Sequence, residues 1–463
     1  SIGNGNLVPA HVVIEKAGVQ VVTVDVPANS ATTVQLDFDP ALKAAGASSL
    51  VRAGAYHLRA DVPVTVHQFN PLLFEIPQKC QDSGDGAGAQ PCYSYTNDAS
   101  LLFPASALAT DPEDGDPGIQ YLTASRATWL AGPEQGSLHG FSGFVAVVAV
   151  GPGPAVVRVT TSANTLPSAP GAEPIPALAP GDTFQCTLAP GDVLQLASAI
   201  PSACTGMQSG TPSDPTPAIE YCDPGAQFDL TRTEVSADGP IEVISGHDCT
   251  NVPFDRPACD HLEDAMLPLR AWGKSVVVTR PHVNGDDSYV LRVVSGADGN
   301  TISFDPAVQA PITLGRAQSF ELTADEPLFV QGTGPLMAAQ YLVGQGQPTA
   351  SVGDPSLALA VPVDQYRRTY NFISPSTYTS NYVDIVAATG DLVTLDGAVI
   401  SLFQPIGQSR FSVVTVPLQQ AGAHELRGTG AAGLGVMLYG VAYYTSYMLP
   451  GGLDLRTLTV SGF

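Results

Sequence analysis

The chain is poor in positive charge. Its 463 residues hold 19 Lys and Arg against 43 Asp and Glu, and only four of the cations are lysine: Lys16, Lys43, Lys79 and Lys274. A formal charge of −24 repels a phosphate backbone and an anionic lipid surface, which excludes nucleic acid as a partner and polybasic attachment to a membrane. The same acidity suits solubility outside a cell or the binding of divalent cations.

Long apolar runs are also missing. The longest uncharged one, GLGVMLYGVAYYTSYML from Gly433 to Leu449, is broken by glycines, tyrosines and hydroxyls, so it reads as paired strands and not as a bilayer helix. The opening SIGNGNLVPA has no Met, no basic segment and no apolar leader core, which points to a removed leader or an internal fragment. Catalytic signatures are absent: there is no G-x-S-x-G, H-E-x-x-H or G-x-x-x-x-G-K-[ST], and GTGAAGLG precedes a strand pattern without the lysine of a phosphate loop. The chain is therefore expected not to be an enzyme. Hydrolase activity stays as the lesser alternative, because a carboxylate pair is assembled by the fold and leaves no local signature.

What is present points to strands. Forty-six Gly, forty Pro, 13% charged residues and many Val and Thr predict an all-β protein with short strands and tight turns, and 44% hydrophobic content suffices for buried cores. A phrase with an acidic residue, a Pro and alternating aliphatics recurs as RADVPVTVHQFNP (Arg59 to Pro71), SADGPIEVISGHD (Ser236 to Asp248) and TADEPLFVQGTGP (Thr323 to Pro335), with a fainter copy from Leu426. Leu-Pro or Phe-Pro strands follow in DASLLFPASAL, LEDAMLPLRAWG and DPSLALAVPVDQY. About six strands per repeat predict four tandem antiparallel sandwich-like modules of about 90 or more residues, at 1–100, 101–262, 263–360 and 361–463. A cyclic, propeller-like arrangement of the repeats is the alternative. Module 1 lacks a preceding Leu-Pro strand, which leaves an edge for another chain or domain to complete.

Seven cysteines suggest three local pairs, Cys80/Cys92, Cys204/Cys222 and Cys249/Cys259, each bracketing a polar loop, with Cys186 expected as a buried free thiol. The segment SGHDCTNVPFDRPACDHLEDAM is nearly palindromic, and His247, Cys249, Cys259 and His261 have the i, i+2 spacing of a tetrahedral zinc site. A Cys249–Cys259 disulfide is the expected reading and zinc the alternative. No cofactor is required. Calcium is an alternative to plain solvation for the acidic turns with Asp111, Asp114 and Asp116, and with Asp286 and Asp287. In YYTSYM, the rings of Tyr443, Tyr444 and Tyr447 are either core or an outer aromatic platform.

The phrase VISGHDC…ACDHLEDAMLPLRAWGKSVVV resembles the IgGFc-binding protein N-terminal domain family. YHLRADVPVTVHQFNP, NDASLLFPASAL and DPSLALAVPVDQYRRTYNFISP resemble its bacterial, myxobacteria-like branch. The likeness runs from about Ala55 to Leu455 and implies an extracellular or cell-surface all-β scaffold with a binding or adhesive role. Its ligand would be an extracellular protein or glycan. A structural subunit self-associating through open sheet edges is the alternative. The family carries no short Fc-contact motif, so no such residue can be assigned.

Overall fold

The computed structural model describes residues 1–458 except 38, 43–45, 71–74, 80–90, 94–97, 109–118, 135–136, 203–207, 210–219, 255, 257–258, 283–287 and 345–351. All regular elements among them are strands or one-turn 3₁₀ helices. The third unit displays the plan most simply. It has eight strands: Ser275–Val278, Tyr289–Ser295, Asn300–Asp305, Ile312–Leu314, Ser319–Ala324, Leu328–Gly332, Leu336–Leu342 and Ser356–Leu359. The first, sixth, third and fourth form an outer antiparallel sheet in that order, and the fifth, second, seventh and eighth form an inner one.

Two other units repeat this order. In the second, the inner sheet ends in Gly143–Ala149, Ile241–Thr250 and Asp260–Ala265; in the fourth, in Ser380–Ala388, Gly435–Ala442 and Thr445–Pro450. The first unit has the inner sheet Ser30–Thr32, Ile2–Asn4, Thr65–Asn70 and Asp98–Leu101 and, among the described residues, three outer strands, Val19–Val26, Ala10–Lys16 and Tyr56–Ala60. Units two to four thus hold eight core strands each where the sequence pattern suggested about six. The third recurring phrase is also out of phase. TADEPLFVQGTGP straddles the fifth and sixth strands, whereas the phrases at Asp61 and Asp238 join the sixth to the seventh; the third unit's true counterpart is the Gly334-Pro335 turn.

The sandwiches and the cyclic order coexist. The last strand of each inner sheet packs beside the last strand of the next, so that Asp98–Leu101, Asp260–Ala265, Ser356–Leu359 and Thr445–Pro450 close a ring of four about a common axis. Every residue of the last three and of Asp98–Leu101 is buried. Burial patterns follow from this placement. The outer strand Ala155–Thr160 alternates buried and accessible positions, while Leu336–Leu342 and Gly435–Ala442 are buried throughout, because an inner sheet is covered by its own outer sheet on one face and by the neighbouring unit on the other. That double cover explains the long apolar run near the C-terminal end.

Each joint of the ring has its own chemistry. Between units two and three, Arg292 pairs with Asp229 at 2.7 Å and with Glu321 at 2.7 Å, and donates to the Ser125 carbonyl at 2.8 Å. Between three and four, Val277 and Phe329 pack on Val386 and Phe411. Between four and one, the rings of Phe69 and Tyr447 meet edge to face at 5.4 Å. At the axis, the buried Asp98 carboxylate accepts from the backbone N–H of Ala99, of Glu263 at 3.0 Å and of Leu357 at 2.9 Å, and from the Ser356 hydroxyl, which ties three units together.

Two expectations follow. Asp98→Ala strands three buried N–H donors and should cost roughly 3–5 kcal/mol in denaturant unfolding, far above the effect of an exposed Asp→Ala change such as Asp25→Ala. Asp384, fully buried beside the Thr415 and Tyr439 hydroxyls, is pushed up to about 6 by burial. A carboxyl raised above its unfolded value near 4 contributes stability that is complete below about pH 4 and lost as pH climbs through 6, here up to roughly 3 kcal/mol. Thermal melts from pH 4 to 7 should accordingly fall less steeply for Asp384→Asn than for the native chain.

Candidate functional site

The ring has two distinct ends. Three of the four axis strands lead to a proline, Pro104, Pro268 or Pro362, which cannot continue a ladder, and a one-turn 3₁₀ helix follows: Ala105–Ala107, Leu269–Ala271 and Val363–Gln365. These turns interlock. Arg270 donates to the Ala107 carbonyl at 2.9 Å, Gln365 to that of Ala271 at 3.0 Å, and the Asp454 and Leu458 amides to Gln365 and Arg270.

At the opposite end four hairpin connections leave the seventh strand of each unit and enter the eighth, and their described ends form a crown around the axis. They connect Asn70 to Asp98, Thr250 to Asp260, Leu342 to Ser356 and Ala442 to Thr445. Neighbouring turns touch: the Gly344 amide donates to the Val252 carbonyl at 2.7 Å, and the Gly353 amide to that of Ala442 at 2.8 Å. Asn70 and His261 approach at 3.4 Å.

The palindromic segment occupies the second of these turns. Cys249 and Cys259 are joined in a disulfide with a Cα–Cα distance of 5.3 Å, so neither sulfur is a free thiolate. His247 is buried, and burial lowers it to about 3, which keeps the ring neutral. Its Nε2 faces the Ala127 carbonyl at 3.1 Å and its Nδ1 accepts the Cys249 amide at 3.2 Å. Both nitrogens are thus committed to backbone. His261 stacks on Phe144 at 5.5 Å and approaches Glu263 at 3.4 Å. The four residues are therefore not assembled as a zinc tetrahedron. Among the described residues no group of three His, Cys, Asp or Glu is arranged to hold a metal. Gly246 is needed here, since a Cβ would collide with the Leu262 carbonyl across the ladder.

The remaining candidates fall as follows. Asp111, Asp114, Asp116, Asp286 and Asp287 lie outside the described residues, as do Cys80 and Cys204 and the side chain of Cys92. Cys222 is buried and disulfide-bonded. Cys186 is a free, half-buried thiol that burial raises to about 11, leaving little thiolate at neutral pH. The three tyrosines divide. Tyr447 is fully buried, whereas Tyr443 and Tyr444 are 43% and 37% exposed and form the whole two-residue turn between Ala442 and Thr445. Their rings meet at 4.5 Å, near perpendicular, and Tyr444 sits at φ +51°, a left-handed conformation costly for a bulky residue.

One constellation left no local trace in the sequence. Ser374 Oγ lies 3.1 Å from His424 Nε2, and His424 Nδ1 lies 2.8 Å from Asp396. The order resembles a hydrolase relay. Yet Ser374 is 1% exposed, and both its hydroxyl and His424 Nε2 are also directed at the Gln420 carbonyl, at 3.2 and 3.0 Å. A nucleophile so enclosed cannot meet a substrate, and the trio works as a strand clasp.

The disulfide closes a loop of sequence separation 10, for which chain entropy gives about 2–3 kcal/mol. Cys249→Ser with Cys259→Ser should lower unfolding free energy by that amount while the far-UV spectrum stays β. Thiol counting by mass spectrometry after alkylation without reductant should modify Cys186 and leave Cys249 and Cys259 unmodified.

Comparison with known proteins sets this geometry in a lineage. A human protein, IgGFc-binding protein of Homo sapiens, is 24% identical over 232 residues, covering 48% of this chain and 4% of its own length. The chain thus corresponds to a small part of that relative. No solved structure matches. A family model described as IgGFc binding protein matches residues 98–440, a stretch that begins at Asp98 and takes in the last inner strand of unit one, the disulfide turn and the strands of units two and three. With well over half of its length matched, the chain belongs to the IgGFc binding protein family.

Proposed function

We propose that the chain is a non-catalytic binding scaffold, secreted or displayed at a cell surface, which holds an extracellular protein ligand at the crown. The observation that carries this reading is the gathering of the described ends of four hairpin connections at one end of a closed ring, with an exposed tyrosine pair of which Tyr444 is held in a costly backbone conformation. Strain of that kind persists where surroundings impose it and concentrates at recognition sites. Paired aromatic rings on a rigid turn offer large contact area with little entropy to lose, the usual character of an interface anchor. The disulfide fits an oxidising compartment. Family membership supports binding as the general role, and the human relative's name points to immunoglobulin Fc as one protein to try. Glycan remains the other ligand class, because exposed tyrosine faces also stack on sugar rings.

No helix among the described residues is long and apolar enough to cross a membrane.

An array of extracellular proteins, immunoglobulin Fc and glycans probed with the purified chain tests the proposal. Tyr443→Ala should weaken the captured ligand at least tenfold, with a melting temperature within about 2 °C of native. Tyr444→Gly is more telling, since glycine relieves the positive φ: stability should rise by up to about 1 kcal/mol while binding falls. Binding untouched by both changes would remove the crown from the function.

A further inference from the structure

Three buried side-chain oxygens at the joint between units three and four have no hydrogen-bond partner among the described residues: Asp384 Oδ2, Gln340 Oε1 and Thr279 Oγ1. Asp384 lies in Ser380–Ala388 of unit four, and its other oxygen accepts from the Thr415 hydroxyl at 2.6 Å and the Tyr439 hydroxyl at 3.3 Å. Gln340, in Leu336–Leu342 of unit three, donates its Nε2 to the Thr279 carbonyl at 2.6 Å. That bond fixes the orientation of the amide, so Oε1 can only accept. Thr279 joins the two groups: its carbonyl holds Gln340, and its hydroxyl sits close enough to Asp384 to favour the charged carboxylate, yet outside hydrogen-bond geometry. We propose that Asp384 Oδ2, Gln340 Oε1 and the Thr279 hydroxyl hold one monovalent cation of sodium size between units three and four.

Space for an ion lies beside these oxygens. A cavity of about 10 Å³ opens at Thr279, between Val277 of unit three and Val386 and Met437 of unit four. Met437 is the ladder partner of Asp384, and Val386 shares a strand face with it, so the cavity lies at the level of the carboxylate. A volume of this size admits one small ion or one water. Buried polar atoms without partners are rare in folded chains, and three that share Thr279 as a common neighbour call for a common occupant.

Charge selects among the occupants. A water would donate to Asp384 and Gln340 and accept from Thr279, but it would leave an enclosed negative charge with nothing to balance it. Among the described residues Asp384 forms no ion pair, and the exposed His282 ring is the least of the influences on it. A divalent ion overcorrects, because a single carboxylate leaves half its charge unmatched in the interior, and calcium seeks about six to eight oxygens where three side chains and one water-sized space are on offer. One sodium ion neutralises Asp384 and serves both acceptors. It thereby ties the seventh strand of unit three to the second strand of unit four, beside the apolar packing of Val277 and Val386. The pH dependence given above for Asp384 is that of the chain without the ion.

The site is independent of the crown and is tested without any crown ligand. Thermal melts of the full chain, with sodium chloride replacing choline chloride from about 10 to 300 mM at constant ionic strength, read occupancy through linkage and should rise by about 2 °C. Asp384→Asn keeps the shape of the side chain and should abolish this sodium effect. Thr279→Val, which removes one oxygen at nearly constant volume, should cut it by at least half. Calcium chloride at matched ionic strength reports any general effect on so acidic a surface, and its shift should be the same in the native chain and in Asp384→Asn. A crystal structure of the native chain grown in sodium should show an atom closer than about 2.6 Å to Asp384 Oδ2 and Gln340 Oε1, whereas separations of about 2.8 Å or more, those of a hydrogen-bonded water only, overturn the proposal. Equal melting in sodium and choline, or a sodium effect undiminished in Asp384→Asn, would overturn it as well.

Discussion

The fold depends on the Asp98 carboxylate at the ring axis. Four inner strands meet there without sharing ladder hydrogen bonds, so their backbone donors need another acceptor. One carboxylate serves three of the units, bonding its own unit through Ala99, the second through Glu263 and the third through Ser356 and Leu357. Asp264 repeats the device with the Leu359 amide at 2.7 Å. Burial pushes both carboxyls well above the usual range, and the donated N–H groups offset this only in part. Such groups are costly unless every partner is in place, and this ties the assembly of each unit to that of its neighbours.

Double cover of the inner sheets is the second consequence of closure. An isolated sandwich buries one face of each sheet and would show alternation in both. Here alternation survives in outer strands such as Ala155–Thr160 and Asn300–Asp305 and vanishes from the inner strands nearest the axis, such as Leu336–Leu342 and Gly435–Ala442. The all-β class was therefore legible from composition and turns. Strand number and phase were less so. TADEPLFVQGTGP resembles its counterparts because any turn joining two sandwich strands selects an acidic residue and a Pro, so local likeness does not report which turn it is. The cyclic order was not decided by sequence, since it rests on contacts such as Arg292 with Asp229, residues with no periodic mark.

The palindrome around Cys249 shows how far spacing alone reaches. Residues i and i+2 of a strand share a face, and on that ground two His and two Cys are equivalent to a metal site. The structure separates them by partner: sulfur bonds sulfur, His247 serves the backbone and His261 lies against Phe144 and Glu263. Ser374, His424 and Asp396 present the converse, a catalytic-looking order assembled from strands far apart in sequence and emptied of chemistry by burial. In both cases solvent access and hydrogen-bond partners, and not residue type, decide what the group can do.

The two ends of the ring differ in what they permit. At the base, prolines and 3₁₀ turns interlock through backbone carbonyls, and a change of length in one turn would displace the next. At the crown, the strands on either side of each turn are already fixed by the inner sheet, so the turn can vary from the two residues of Tyr443-Tyr444 to the 27 positions between Asn70 and Asp98 without disturbing the axis. Variation in binding specificity can accumulate only where the scaffold tolerates it. The tolerance is physical: a hairpin connection strains its own residues, as φ at Tyr444 records, and leaves the ladder beneath it intact.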